Sequence, residues 1–174
     1  MLFIDFLRNH RFASFLLTVV RIYLGWEWMK SGWEKISGNA PFDAYGFLVA
    51  AAKKSTGDHP AVQPWWADFL NAVAIPNAGL FSFLVQWGEF LVGLGLVLGC
   101  FTTLAALMGV MMNFAFVLSG TTSTNAQMLL LGIFIVVAGF NAAKLGLDYW
   151  VIPLLRNLTR HDWNEQIGGY RFKI

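Results

Sequence analysis

The chain has 174 residues, 57% hydrophobic and 13% charged, with a formal net charge of +2 and a mean hydropathy of +0.57. That balance lies outside the range of soluble globular domains and predicts an integral membrane protein. The small net charge, with cations gathered near the termini, provides no basic stripe for nucleic acid. The single cysteine, Cys100, excludes an intrachain disulfide, a CxxC redox pair and an all-cysteine cluster.

In chain order, Arg8 and Arg11 precede the apolar stretch Phe12 to Val20, an arrangement that resembles a signal peptide. Arg21 interrupts the stretch, no small-residue cleavage site follows and the apolar pattern resumes through Trp33, so a retained first helix is expected over residues 12–35. Further apolar spans are expected at 80–101, 103–119 and 126–142, the last continuing toward Leu155. About 20 apolar residues cross a bilayer core of about 30 Å, so the third and fourth spans need neighbouring residues to complete them.

The connection 37–77 carries Pro41, Gly57-Asp58, Pro60, Pro64 and Pro76 as turn signals, with short surface helices expected over Phe42 to Lys53 and Trp65 to Val73. Tight turns at Gly99 to Thr102 and Gly120 to Asn125 make consecutive spans antiparallel neighbours. Since lipid forbids unsatisfied backbone, the expected fold is an all-α membrane domain, an antiparallel four-helix bundle with a long loop between its first two spans.

Basic residues set the expected orientation. Arg8, Arg11, Arg156, Arg160, Arg171 and Lys173 lie near the termini, whereas the long connection has Lys53 and Lys54, with Lys35 at its edge. Both termini and the tail 156–174 are therefore expected in the cytoplasm, and the loop outside the plasma membrane. Trp33, Trp65 and Trp66 would mark the outer interface and Trp150 the inner one.

Arg21 and Glu89 each stand about halfway along an apolar run. At 1.5 Å per residue each lies about 13.5 Å into its span, so antiparallel neighbours level the two near the midplane and each is the expected partner of the other. Left unpaired, the two charges would cost on the order of 5–7 kcal/mol. Arg21 shares a stripe with Gly25, Trp28, Gly32 and Lys35, Glu89 shares one with Gln86 and Gly93, and Asn113 adds an amide at mid-depth in the third span. The expected consequence is one interior polar site, although such pairs and amides also serve merely to fix packing.

Other polar sets read more plainly. Glu27, Lys30 and Glu34 suit an exposed i,i+3 and i,i+4 ladder, and Lys144 with Asp148 is a further i,i+4 pair. In the turn from Thr121 through Thr122 and Ser123, Thr124 or Asn125 is expected to cap the fourth span, with a pocket mouth as the alternative. His10, His59 and His161 are too scattered to predict a metal site.

Arg21-x-x-x-Gly25, Gly32-x-x-Lys35, Gly88-Glu89-x-x-x-Gly93-Leu94, Leu98-Gly99, Ser123-Thr124-Asn125 and Asn141-Ala142-x-x-x-Gly146-Leu147-Asp148 follow one another in this order. The ordered set resembles the DoxX-like membrane family, which includes the small DoxD-type subunit of thiosulfate:quinone oxidoreductase, over about three quarters of the chain. Two departures bear on any anion contact at the inner surface: Thr103-Leu104 stands where an arginine is common, and Lys144 where a Gly-Arg pair is common.

The resemblance implies a membrane subunit of a quinone-linked oxidoreductase, with a reduced sulfur compound as one candidate electron donor. A quinone offers carbonyl acceptors and an apolar ring and tail, so it needs hydrogen-bond donors, an aromatic wall and a proton source at membrane depth. Arg21 and Glu89 are the expected catalytic pair, polarising a carbonyl and relaying a proton. Trp28, Gln86, Trp87 and Asn113 are the expected cofactor-binding residues. The lipid bilayer and a second oxidoreductase subunit or a soluble redox enzyme are the expected partners. Two alternatives stand beside this one: a non-catalytic scaffold that recruits a soluble enzyme through Arg156, Arg160, His161, Asp162 and Trp163, and a small transporter using the same buried charges.

Overall fold

The computed structural model describes residues 2–121 and 123–167, with side chains as far as residue 157. Thr122, Arg171 and Lys173 lie outside the described residues, and Arg160, His161, Asp162 and Trp163 outside the described side chains. Among the described residues the protein is entirely helical: α1 (Phe3–Asn9), α2 (Arg11–Ser37), α3 (Tyr45–Lys53), α4 (Pro64–Phe69), α5 (Ala78–Leu98), α6 (Thr102–Leu118), α7 (Asn125–Ala138), α8 (Phe140–Ala143) and α9 (Asp148–Ile167). A π-helical turn, Leu70–Ala74, extends α4.

Helix α2 starts where His10, in extended conformation, accepts the Phe12 N–H through Nδ1 at 3.2 Å. Its buried residues, Ala13, Ser14, Leu17, Arg21, Leu24, Gly25, Trp28 and Gly32, recur at steps of mostly three and four and so form one stripe. Helix α5 buries Ser82, Glu89, Val92, Gly93 and Leu96, and α6 buries Thr102, Ala106, Gly109 and Asn113. These stripes meet: α2 packs on α5, the most extensive contact of all, α5 also packs on α6 and α6 on α7, while α7 and α8 return to α2.

Glycines set the register of α2 on α5. A methyl group added at Gly25 would stand 2.7 Å from the Val97 nitrogen, one at Gly32 would run into the backbone of Phe90, and one at Gly93 into that of Met29. The backbones touch at these points, which is how small residues bring two helices together.

Helix α5 ends at Gly99, whose left-handed conformation (φ 65°, ψ 43°) lets Cys100 N–H donate to Gly95 O at 2.9 Å. Phe101 follows, also left-handed (φ 50°) despite its side chain. It is held there by Asp148, which accepts the N–H groups of Phe101 at 2.7 Å and Thr102 at 2.8 Å and so caps α6 from a distant part of the chain.

The segment between α2 and α5 forms a cap over one end of the packed helices. Ala44, Leu48, Ala51, Ala52, Leu70 and Ala74 make a second apolar core, joined by Phe42, Trp66, Phe69 and Phe81. Three hydrogen bonds tie it down: Ala44 N–H to Ser82 Oγ, Trp66 Nε1–H to Ser119 Oγ and Lys54 Nζ to Gly120 O. The short helices expected in this connection are therefore present, at slightly different bounds.

At the opposite end, Gly139 (φ 57°, ψ −129°) breaks the expected 126–142 span into α7 and α8. The added α1 folds back there, where Asn141 Nδ2 donates to Leu7 O and His10 O. The exterior is apolar: Phe12, Phe15, Val19, Ile22 and Trp26 on α2, and Leu80, Phe83, Leu84 and Leu91 on α5, are all exposed. So extensive an apolar surface marks contact with lipid or protein. Helix α5 is long and apolar enough to cross a membrane, and α6 and α7 are shorter apolar helices.

Candidate functional site

Glu89 is 3% exposed, yet it does not meet Arg21. Its Oε2 lies 2.6 Å from Lys35 Nζ, and the Ser31 side chain neighbours the same carboxylate. Lys35 also donates to Ser31 Oγ at 2.8 Å and Ser31 O at 3.3 Å, and sits 5.6 Å from the centroid of the Phe42 ring. The expected Arg21–Glu89 pair is thus replaced by Lys35–Glu89. The register explains why: Arg21 lies against Gly99 whereas Glu89 lies beside Ser31, ten residues or about 15 Å farther along α2.

The Lys35–Glu89 pair opens into a cavity of about 360 Å³ beneath the cap. Its walls come from every packed layer: Phe42, Phe47 and Leu48, then Trp66, Phe69 and Leu70, then Phe81 and Val85 of α5, and Phe116 of α6. The rings brace one another, Trp66 stacking on Phe69 at 5.0 Å between centroids and Phe47 meeting Phe116 edge to face at 6.2 Å. Ser119, Thr121 and Asn125 line the far end. Thr124 makes no side-chain cap on α7, and Asn125 reaches Ser123 Oγ at 3.4 Å. The turn expected to cap the fourth span therefore borders the pocket instead.

Arg21 belongs to a different and closed arrangement. It is 1% exposed and donates through Nη1 to Leu96 O at 2.8 Å and through Nη2 to Leu145 O at 3.1 Å. Asp148 interacts with it electrostatically, and Gly99 and Gly146 press against the guanidinium and each other. Leu147 N–H and Asp148 N–H donate to Leu98 O and Gly99 O, completing the clasp between the α5 terminus and the segment before α9. The expected Lys144–Asp148 pair is also corrected: Asp148 is buried on the α6 terminus while Lys144 is exposed. The Lys30–Glu34 contact, at 3.9 Å between exposed side chains, belongs to the expected surface ladder.

The remaining expected site residues separate. Trp28 and Asn113 do meet, around a void of about 10 Å³ in the helix core, which has room for one water at most. Asn113 Oδ1 has no partner there. Gln86 is half-buried, with its backbone carbonyl against Gly32, and Trp87 is 39% exposed on the outer face between Phe83 and Phe90. The single interior polar site expected from the helical stripes is therefore resolved into a closed clasp at Arg21, a packed core at Trp28 and Asn113, and an open site at Lys35–Glu89.

The DoxX family profile matches residues 16–121, more than half of the chain. The chain belongs to the DoxX family. No curated protein and no solved structure matches it. The DoxX match spans Arg21, Lys35, Glu89 and every cavity residue named above except Asn125, and DoxX proteins are membrane-associated. Two short pieces carrying the resemblance, Gly32-x-x-Lys35 and Gly88-Glu89, come together as the polar floor of the cavity. What sequence reasoning missed is its wall. Phe42, Phe47, Trp66 and Phe69 lie in the connection, where aromatic spacing carries no span-like period, although Trp65-Trp66 beside Phe69 was a local sign of an aromatic cluster.

Proposed function

We propose that this DoxX protein is the membrane subunit of a quinone-linked oxidoreductase, related to the DoxD-type branch, and that the quinone/quinol couple binds in the cavity beneath the cap. The observation carrying this reading is the Lys35–Glu89 pair set as the polar floor of an otherwise aromatic chamber. Most cofactor sites have this composition, apolar walls with a few convergent polar groups. A quinone supplies two-electron chemistry when bound. The chain's part is to clamp the ring between Phe69 and Phe116, exclude water, and hold or release a proton at the Glu89 carboxylate beside a ring oxygen. Lys35 takes the cationic role expected of Arg21.

In this reading the packed helices cross the plasma membrane as an antiparallel four-helix bundle, α8 and the start of α9 completing the shortened last span. The basic residues near the termini favour a cytoplasmic tail and an external cap. A reporter fused after Ile174 that is active only outside the cell would reverse the orientation. With Cys100 the sole cysteine, electrons are exchanged with a second subunit, a soluble redox enzyme or a reduced sulfur compound.

The reading is tested by photolabelling the protein in nanodiscs with a short-chain azidoquinone and mapping the adducts by mass spectrometry. Adducts should fall on the cavity segments 42–48, 64–74 and 115–121, be displaced by unlabelled quinone, and drop at least tenfold in the Phe69→Ala/Phe116→Ala variant. Labelling confined to the exterior, or unmoved by these substitutions, would refute it.

A further inference from the structure

The hydrogen-bonding inventory of the cavity is one-sided. Lys35 has three N–H donors, and all are committed: to Glu89 Oε2, Ser31 Oγ and Ser31 O. The Ser31 Oγ accepts from Lys35, and its hydroxyl lies beside Glu89. At the far end Trp66 Nε1–H goes to Ser119 Oγ, the Ser119 hydroxyl to Ala115 O and the Thr121 hydroxyl to Phe116 O. Acceptor capacity remains at both ends. A carboxylate has about four lone-pair sites, of which Lys35 fills one at Glu89, and the Ser119 and Thr121 oxygens keep lone pairs as well. Among the described side chains lining the cavity, the donors left in reserve are the Ser31 hydroxyl, which has Glu89 as its neighbour, and the Asn125 amide, which makes one long contact to Ser123.

The two ends lie at different heights. Gly88 packs beside Met112, so Ser119 stands seven residues beyond the level of the Glu89 turn, about 10 Å along the axis. Between them lie only apolar walls. A ligand satisfying this chamber presents a flat apolar ring with a hydrogen-bond donor at each of two opposite ends.

We infer that the cavity selects the reduced, dihydroxy form of its ligand over the dicarbonyl form: a para-hydroquinone donating one O–H to Glu89 and the other toward Ser119 and Thr121. The inference rests on the quinone reading and adds the oxidation state that the site prefers. The oxidised ring brings two acceptors to a chamber whose donors are mostly committed to its own acceptors, and a carbonyl placed at Glu89 loses a hydrogen bond it had in water. Ser119 and Thr121 thereby become positioning residues for the second ring oxygen. Each tenfold preference for the reduced form raises the potential of the bound two-electron couple by about 30 mV.

The test is the dissociation constant of a short-chain benzoquinol and of its quinone, measured anaerobically by calorimetry on the full chain in nanodiscs, with empty nanodiscs subtracted. The quinol should bind at least tenfold more tightly. In Glu89→Gln the new amide N–H donates to a carbonyl, so the ratio should fall to about one or reverse. A ligand series on the unmodified protein reads the same property without a variant: methylating both hydroxyls of the quinol removes its donors and should weaken binding at least tenfold. Quinone bound as tightly as quinol, or a dimethyl ether bound as tightly as the diol, overturns the selectivity while the quinone reading stands. Binding of neither form overturns both.

Discussion

Arg21 and Glu89 are both almost fully buried charges on facing helices, and they are treated in opposite ways. Arg21 is closed in by carbonyls from two segments, with glycines 99 and 146 packed against it so that no space is left. Glu89 has one cation beside it and a cavity in front of it. A charge whose hydrogen bonds all go to backbone works as a clasp. A charge with lone pairs still open to a chamber can bind and exchange protons. Burial and charge alone do not separate the two cases; the space in front of the group does.

Several substitutions would break or sharpen this contrast. The largest effect is expected from Arg21→Leu, which strands the Leu96 and Leu145 carbonyls and leaves Asp148 without its counter-charge. A loss of about 3–5 kcal/mol is expected, since removing one partner leaves an uncompensated buried charge. Unfolding in mixed micelles would measure it, and quinol affinity below the transition should stay within twofold. A large affinity loss in a folded Arg21→Leu protein would show that the clasp and the cavity are one site.

Lys35→Met should cost less, about 1–3 kcal/mol, because the cavity lets Glu89 keep other partners. Adding Glu89→Leu should restore most of that stability, with no recovery of quinol binding. A double variant that still binds would remove the pair from the site. The smallest effect belongs to Trp66→Phe, which retains the stacking on Phe69 and loses the bond to Ser119. About 1 kcal/mol of stability is expected to go. Amide exchange should accelerate in 64–74 and not around Gly99, and equal acceleration at both ends would contradict the independence of the cap from the clasp.

Much of this organisation is legible in the sequence. The stripe Arg21, Gly25, Trp28, Gly32 and the stripe Glu89, Gly93 lie on the faces expected of them, because the 3.6-residue period depends on nothing beyond the helix itself. The partner of Glu89 was not legible. Counting inward from the ends of apolar runs treats two helices as flush, whereas α2 begins early and ends late, and its position on α5 is set where Gly25 and Gly32 meet the backbones of Val97 and Phe90. The same limit hid the role of Asp148, whose partners lie 47 and 46 residues away.

Composition and periodicity by themselves determined an apolar all-helical chain, the faces it buries and the small residues at which its helices touch, since each follows from local geometry and from transfer of side chains out of water. Which charge meets which, and that Phe42, Phe47, Trp66 and Phe69 roof a chamber over Glu89, was decided only by the tertiary structure. Register and enclosure are sums of contacts between distant segments, and a slide of about 15 Å along one helix exchanges one partner for another without altering any local pattern.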